Sequence, residues 1–522
     1  MAMLTGLLET PYFTPGVCIA LLVILISSVW DDLSTEVPHR GVPLVGKNWW
    51  NLSNKKARAQ WSQSARTLIT EGFAKGQSVF QVMTPSHPTI ILHPKYIDEV
   101  KAHPDLHFLE AIRKNFFANR VPGFEGFHAG GGSEKGDRIL VDAVRVNLTQ
   151  ALGSLTTPLM KETALTLDEH FPPTKEWTPY IFARELPYAV GRISTLIFLG
   201  ERAARNKEWV NVAVNYTIDA FDAARALRMW PAIMRPLVHH FLPYMNKVRA
   251  HLKVGRAIVQ EEIERRAAIR EGRLPAEETP HTHSDSLDWF TNLATRYGEP
   301  YDLMTGQMGL SLAAIHTTSN LLTNVVYDLA AHPEYFQPLR EEIKAVLEEG
   351  RGAEEDESVE AEVAGYECAN PPPSLIRIAS KKITLSDGNI IPKGAITAIS
   401  AHVVNEDESI YPNAATYDGY RFLKKRQQPG HEHRHQLVTT TAESFGFGHG
   451  VHACPGRFFA SNESKIVLLQ LLLKYDWKFQ DGVTRPKNLE FATESVPDPT
   501  LAVLFRAREP EVDLGRFYDL GV

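Results

Sequence analysis

Cysteine is scarce in this chain of 522 residues, and its three cysteines, Cys18, Cys368 and Cys454, are far apart. Three widely separated thiols cannot form a disulfide framework or a zinc site of the usual short spacing, and this scarcity fits a reducing compartment. The chain also lacks an excess of basic residues, because its formal net charge is −7 at pH 7. The composition therefore argues against a nucleic-acid partner.

Internal repeats and nucleotide-binding motifs are also missing. Gly446, Gly448 and Gly450 do not have the Gly-x-Gly-x-x-Gly spacing, and no lysine follows where a phosphate loop requires one. Hydrophobic residues make up 43% of the chain, which is ordinary for a globular protein with a large core. No clear linker divides the chain, so we expect one large domain. The sequence shows no flavin- or nicotinamide-binding domain.

The amino terminus is more apolar than expected for part of a globular domain. Residues 12–30 carry no charge, and a run of this length is just sufficient to span a bilayer. Basic residues begin only at Arg40, whereas Glu9 precedes the run. This asymmetry favours a retained single-pass anchor over residues 1–36, with residues 37–522 cytosolic. We expect the membrane to be that of the endoplasmic reticulum. A cleaved signal peptide is the alternative, although its usual basic start is absent.

The remaining pattern is mainly α-helical with a minor β region. Alternating apolar residues predict strands within 75–100, and helical periodicity covers most of 140–270. A long apolar helix is predicted from Leu303 to Ala330. Residues 383–400 read as a hairpin that turns at Asp387-Gly388.

Cys454 stands in the run Phe447-Gly-His-Gly-Val-His-Ala-Cys-Pro-Gly456, and an apolar helical pattern follows it. A helix that starts near Pro455 would place its positive end beside the sulfur and favour the thiolate. A buried lone thiolate needs a cation, and a porphyrin iron is such a cation. The alternative is an inert buried thiol after a glycine-rich turn.

This run resembles the haem-ligand signature of the cytochrome P-450 family, Phe-x-x-Gly-x-(Arg/His)-x-Cys-x-Gly. Its fixed positions are filled by Phe447, Gly450, His452, Cys454 and Gly456. The resemblance implies the fold of that family, haem b as cofactor, and Cys454 as the axial ligand of the haem iron. It also implies that His452 contacts a haem propionate.

The stretch Ala313-Ala-Ile-His-Thr-Thr318, in the predicted long helix, resembles the family's oxygen-side motif. Thr317 falls on the threonine that hydrogen-bonds dioxygen, and it is expected to open the helix locally by bonding back to the preceding turn. Ala314 replaces the usual glycine, which should narrow the groove slightly. His316 replaces the usual acid and could relay protons; the alternative is a core histidine with satisfied hydrogen bonds.

Two arginines are candidates for further propionate contacts. Arg377 resembles the family's strand arginine, and Arg145 matches only by rough location. Each has the alternative of an ordinary surface charge.

The resemblance breaks where the family carries a Glu-x-x-Arg helix. Gly365 and Cys368 stand at the expected positions, within an atypical acidic segment over residues 350–368. This segment is expected to be solvated. The arginine of the later loop, Arg421, would then be buried without its partners.

The residues together predict a membrane-anchored haem-thiolate monooxygenase that receives electrons from a separate NADPH reductase. The motifs look most like those of fungal enzymes that oxidise terpenoid or meroterpenoid intermediates, so an apolar polycyclic substrate is expected. Two alternatives remain: an isomerase or dehydratase of the same fold, and a non-catalytic remnant that lacks the Glu-x-x-Arg clamp.

Overall fold

The computed structural model describes residues 36–47, 53–118, 121–126, 133–275, 284–348, 375–492 and 494–512, with single helical positions at 15 and 19. The predicted anchor (apart from these two positions and Glu36) and the acidic segment over 350–368 lie outside the described residues. Within the described part of the chain, none of the helices combines the length and the apolar character needed to cross a bilayer.

Helices dominate the structure, as the periodicity predicts. In chain order they are α1 (Lys55–Ala74), α2 (Ile97–Val100), α3 (Phe108–Asn115), α4 (Glu134–Asp142), a π-helical turn (Ala143–Leu148), α5 (Thr149–His170), α6 (Phe182–Leu199), α7 (Glu201–Ala204), α8 (Lys207–Arg228), α9 (Arg235–Val238), α10 (Pro243–Arg270), α11 (Ser286–Tyr297), α12 (Leu303–Ala331), α13 (Phe336–Glu348), α14 (Ala401–Asn405), α15 (Arg421–Arg426) and α16 (Arg457–Lys474). Short 3₁₀ turns cover Pro94–Tyr96, Pro333–Tyr335 and Gly450–His452.

The strands of the described residues form four small sheets. They are β1 (Val79–Met83), β2 (Pro88–Leu92), β3 (Leu106–His107), β4 (Thr178–Tyr180), β5 (Leu375–Ala379), β6 (Ile383–Thr384), β7 (Ile390–Ile391), β8 (Ile396–Ile399), β9 (Tyr475–Lys478), β10 (Leu489–Phe491), β11 (Glu494–Val496) and β12 (Val503–Ala507). The five-stranded sheet has the order β1-β2-β8-β5-β3, in which only β2 and β8 are parallel. The three-stranded sheet has the order β4-β12-β9.

The mainly α fold with a minor β region is therefore confirmed. The predicted hairpin is present as β6 and β7, and Gly388 adopts a φ of 87°, which a residue with a side chain rarely adopts. The predicted long helix is α12, and its first turn is capped by Asp302, whose carboxylate accepts from the Met304 N–H at 3.2 Å.

Helix α12 is the centre of the core. It is apolar nearly all round, which is typical of a helix buried on most sides. It packs against α6, α8 and α16, so it lies against the helix that comes after the Cys454 loop. Helix α16 follows that loop directly and buries its own apolar residues in the same large cluster.

Candidate functional site

The Cys454 loop is fixed by its own backbone and by its neighbour Lys101. The Cys454 N–H donates to the Phe447 carbonyl at 2.7 Å, and the Val451 N–H donates to the Lys101 carbonyl at 3.2 Å. Gly450 has a φ of 73°, and a Cβ atom there would lie 2.2 Å from the Lys101 carbonyl oxygen. The loop therefore requires glycine at this position for both conformation and space.

The environment of the Cys454 sulfur holds two opposing effects. Burial raises the pKa of the thiol, while hydrogen bonds from the Gly456 and Arg457 backbone N–H groups and the charge of Arg457 lower it. Helix α16 begins at Arg457, two residues later than predicted, so its first N–H groups do point at the sulfur. Burial is the larger effect, so a stable thiolate here needs a cation on the sulfur.

Arg377 and His452 lie close together beside this loop. Arg377 is 3% exposed, its Nη1 donates to the Ile376 carbonyl at 2.8 Å, and its guanidinium stacks 5.7 Å from the ring centroid of Phe108. Its Nε has no hydrogen-bond partner, and burial lowers the pKa of Arg377 to about 10. The pKa of His452 is lowered by burial and by the Arg377 charge. A buried cation with an unused donor is a suitable partner for an anionic group.

The His452 ring also has a backbone neighbour. Its Nε2 lies 3.3 Å from the Leu106 carbonyl oxygen. This contact ties the Cys454 loop to β3, the strand that pairs with β5, in which Arg377 lies.

Thr317 and Ala313 share an open face of α12. Both are exposed, although they lie in the middle of a helix that is otherwise largely buried, so their accessible surface faces an internal groove. The Thr317 hydroxyl donates to the Ala313 carbonyl at 2.7 Å and lies 3.3 Å from the Ala314 carbonyl. The helix runs unbroken through this turn, so the predicted local opening is not present. The small side chains of Ala313 and Thr317 leave this face of the unbroken helix accessible instead.

His316 points away from this groove. Its Nε2 lies 2.9 Å from the Val214 carbonyl oxygen in α8, and burial lowers the pKa of the ring. This placement supports the alternative of a core histidine with a satisfied hydrogen bond, and it gives the ring no contact with Thr317.

Two other predicted charges differ from expectation. Arg145 is 62% exposed and its Nη2 donates to Asp142 at 2.6 Å, which is the geometry of a surface ion pair. The expectation of a buried, unpartnered Arg421 is wrong, because its half-buried side chain donates to the carbonyl groups of Pro412, Asn413 and Thr416 at 2.7–3.0 Å.

Glu463 is a buried acid that sequence reasoning missed. It lies in α16 with no exposed surface, and its Oε1 accepts from the Ser194 hydroxyl at 2.7 Å. Thr318, next to Thr317, also hydrogen-bonds it, and burial raises the pKa of Glu463 to about 8. The sequence does carry a signal, because Glu463 interrupts the apolar pattern that follows Cys454.

The fold and the site together define a mainly α-helical protein with a cysteine thiol held in a backbone-bonded loop just before the long helix α16. The family model for Cytochrome P450 matches residues 43–505. The chain is 36% identical to the cytochrome P450 monooxygenase calE of Penicillium decumbens, with 95% of this chain and 96% of calE covered. It is 34% identical to TRI1 of Fusarium sporotrichioides, also a cytochrome P450 monooxygenase, with 90% and 86% covered.

Solved structures agree on the fold. The cytochrome P450DA heme domain matches with a TM-score of 0.64 at 16% identity, and 90% of this chain and 98% of that chain are covered. Retinoic acid-bound cyanobacterial CYP120A1 matches with a TM-score of 0.62 at 15% identity, with 90% and 99% covered. The chain belongs to the cytochrome P450 family and is an enzyme of its monooxygenase type.

The family implies a haem iron, and the residues fit that group. Cys454 offers a sulfur beside backbone N–H donors, Arg377 offers a buried cation without an anion, and Ala313 and Thr317 line a groove in the neighbouring helix. These three features match the ligand, the carboxylates and the open face that a haem requires.

Proposed function

We propose that the protein is a haem b monooxygenase that oxidises an apolar polycyclic substrate of the terpenoid or meroterpenoid class. Electrons would come from a separate NADPH reductase. The observation that carries this proposal is the Cys454 loop, which holds a sulfur beside backbone donors and has the buried Arg377 of β5 next to its His452. The relatives, which are fungal monooxygenases, support the same reading.

A haem held at this site supplies the activation of oxygen, and the protein contributes binding and control of protons. Cys454 would ligate the iron through its sulfur, while Arg377 and His452 would hold the propionates. The Thr317 hydroxyl donates to the Ala313 carbonyl, which leaves its oxygen lone pairs directed to the groove. It can therefore accept a hydrogen bond there, or rotate to donate one, and so hold a proton at its Oγ1.

The groove is continuous with an apolar cluster that suits an apolar substrate. Leu312, next to Ala313, packs with Phe116 of the loop after α3 and with Phe221 and Ala224 of α8. Such a wall offers area and shape but few hydrogen bonds, which is appropriate for a hydrocarbon skeleton.

An exposed apolar patch supports membrane association. Met229, Ile233, Leu237 and Phe241, in the segment between α8 and α10, are 62–90% exposed. Glu36, where the described chain resumes after the uncharged run, acts electrostatically on Arg235 in that segment. The start of the continuously described chain, at Glu36, and this segment are therefore close together, and we place the apolar patch in the lipid surface.

The carbon-monoxide difference spectrum of the reduced, membrane-expressed protein tests the haem site. We expect the red-shifted Soret band of a thiolate ligand, and Cys454→Ser should abolish it. An unshifted band or no haem would instead support a non-catalytic remnant. A thiolate band with product formation that consumes no oxygen would support an isomerase or dehydratase.

Thiol labelling tests the membrane face. Ile233→Cys in the full chain should resist a membrane-impermeant thiol reagent in vesicles and react after detergent is added. Val146→Cys, which is 40% exposed and lies in the π-helical turn after α4, is the control and should react in both conditions. Equal reactivity of the two sites in vesicles would contradict the proposed orientation.

A further inference from the structure

Arg228, the last residue of α8, lies at the edge of the apolar cluster. It follows Ala224 by four residues and Phe221 by seven, so the three side chains share one face of the helix. Its Nη2 donates to the carbonyl of Asn115 at 2.8 Å, and Asn115 directly precedes Phe116 of the same cluster. The guanidinium is therefore held where the apolar wall ends.

Arg228 keeps accessible surface at the end of the apolar cluster. Its side chain is half-buried, and burial lowers the pKa of Arg228 to about 10. A half-buried guanidinium at the end of an apolar wall can meet a ligand that lies along that wall. Because its pKa stays well above 7, the guanidinium carries its charge there at neutral pH.

This charge lacks a hydrogen-bonded carboxylate among the described residues. The opposite charge that acts on Arg228 is Glu494. That carboxylate lies 3.4 Å from Nη2 of Arg225, which also donates from Nη1 to Asp222 at 2.8 Å. The charges of Arg225 and Arg235 add to that of Arg228 rather than offsetting it.

A guanidinium has five N–H donors in a planar fork, and the described contacts of Arg228 use one of them. Burying a charge without a paired counter-charge is unfavourable, so such a residue persists where a ligand completes it. An ionised carboxylate matches both the fork and the charge.

We propose that Arg228 binds a carboxylate carried by the substrate, at the end of its apolar skeleton remote from the oxidised carbon. This inference rests on the proposed function, because it names the substrate class of the same groove. The skeleton would pack on Phe116, Phe221 and Leu312, and the carboxylate would fix its direction along α8. Arg228 is then a specificity-determining residue of the oxidation.

Calorimetric titration tests the inference, because it needs no haem signal. The probes are abietic acid and its methyl ester, together with lauric acid and its methyl ester, so that the acid group is compared on two skeletons. We expect at least one acid to bind about 10- to 100-fold more tightly than its ester. Arg228→Gln should remove this preference without weakening the ester, and Arg228→Lys should restore part of it.

Arg225→Gln is the matched control. Arg225 carries the same charge one helical turn from Arg228, but its side chain is already paired with Asp222 and Glu494. This variant should keep the acid preference. No acid preference on either skeleton, or an equal loss in both Arg228→Gln and Arg225→Gln, would overturn the proposal.

The melting temperature of the variants provides a second readout. Removing a charge that lacks a carboxylate should leave the melting temperature of Arg228→Gln unchanged or higher. A clear fall would show that Arg228 is a structural residue and would also overturn the proposal. Missing acid preference in a protein with a normal thiolate band refutes only this inference, whereas a missing thiolate band refutes the proposed function.

Discussion

The two sides of the site are built in different ways. On the sulfur side, backbone atoms set the geometry: Cys454 donates to Phe447, Val451 donates to Lys101, and Gly450 has no room for a side chain. On the opposite side, side chains from α3, α8 and α12 meet, and Arg228 is held by one bond to a backbone carbonyl. The first region is a local turn and the second is a tertiary assembly.

This difference predicts where the protein tolerates change. A loop held by backbone hydrogen bonds against a neighbouring carbonyl cannot absorb an added methyl group without moving. A wall of apolar side chains can repack around a substitution. Within this wall only Arg228 has a specific requirement, which is its proposed pairing with a carboxylate. Substitutions on the cofactor side should therefore either keep or abolish the haem site, whereas substitutions on the substrate side should change substrate binding gradually.

Gly450→Ala is expected to have the largest effect and to break the sulfur side altogether. The new Cβ would lie 2.2 Å from the Lys101 carbonyl oxygen, at a φ of 73°. We expect no thiolate-type band in the carbon-monoxide spectrum and a loss of about 3 kcal/mol or more in the free energy of unfolding, measured with urea.

The chain provides a matched control for this change. Gly482 has a φ of 83°, and a Cβ there would meet no atom within 4 Å. Gly482→Ala should cost only about 1 kcal/mol and keep the band, because it carries the conformational cost without the collision. Similar behaviour of the two variants would show that the contact with Lys101 does not define the loop.

Arg377→Met should have the next largest effect, on haem retention. The substitution keeps most of the side-chain volume but removes the buried cation that we assign to a propionate. We expect haem affinity to fall about 10- to 100-fold, measured by haem transfer to apomyoglobin. Arg145→Met, at an exposed arginine paired with Asp142, should leave the transfer rate unchanged. An equal effect of both changes on the transfer rate would show that Arg377 does not bind a haem propionate.

Thr317→Ala examines the open face of α12. We expect about a 10-fold lower ratio of product to NADPH consumed, with unchanged substrate binding, because the hydroxyl holds a proton in the groove. Thr323→Ala is the control on the same helix: its hydroxyl donates to the Ser319 carbonyl at 2.7 Å but is buried. It should lower stability and leave the coupling intact. The opposite pattern would contradict the role of Thr317.

What could be predicted from the sequence follows the same division. The long helix, the hairpin and the glycine-rich run before Cys454 are local patterns, and the structure contains each of them. The contact of His316 with Val214, the carbonyl partners of Arg421 and the burial of Glu463 depend on how distant elements pack. Residue type and spacing do not contain that information. The placement of Arg228 beside Asn115 is of the same kind, since 113 residues separate the two.

Glu463→Gln is expected to have the smallest effect on haem binding and coupling, and it examines the support shared by both sides of the site. Burial raises the pKa of Glu463 to about 8, above its ordinary value near 4.5, so the folded protein holds this proton more tightly than the unfolded chain. The resulting stability is present in full below pH 4.5 and is lost as the pH rises through 8. In this window the wild-type free energy of unfolding should fall by up to about 1.4 kcal/mol per pH unit from this group.

Glutamine keeps the acceptor for Ser194 and cannot ionise, so Glu463→Gln should flatten this slope and be the more stable protein at pH 9. Urea unfolding at pH 6, 7.5 and 9 measures the effect, and the exposed Glu71→Gln should reproduce the wild-type slope. Parallel slopes for wild type and Glu463→Gln would mean that the carboxyl is already ionised and paired in the fold. Helices α6, α12 and α16 would then meet at an ionised Glu463. The Cys454 loop, which backbone atoms hold, would in that case also depend on the charge of a distant side chain.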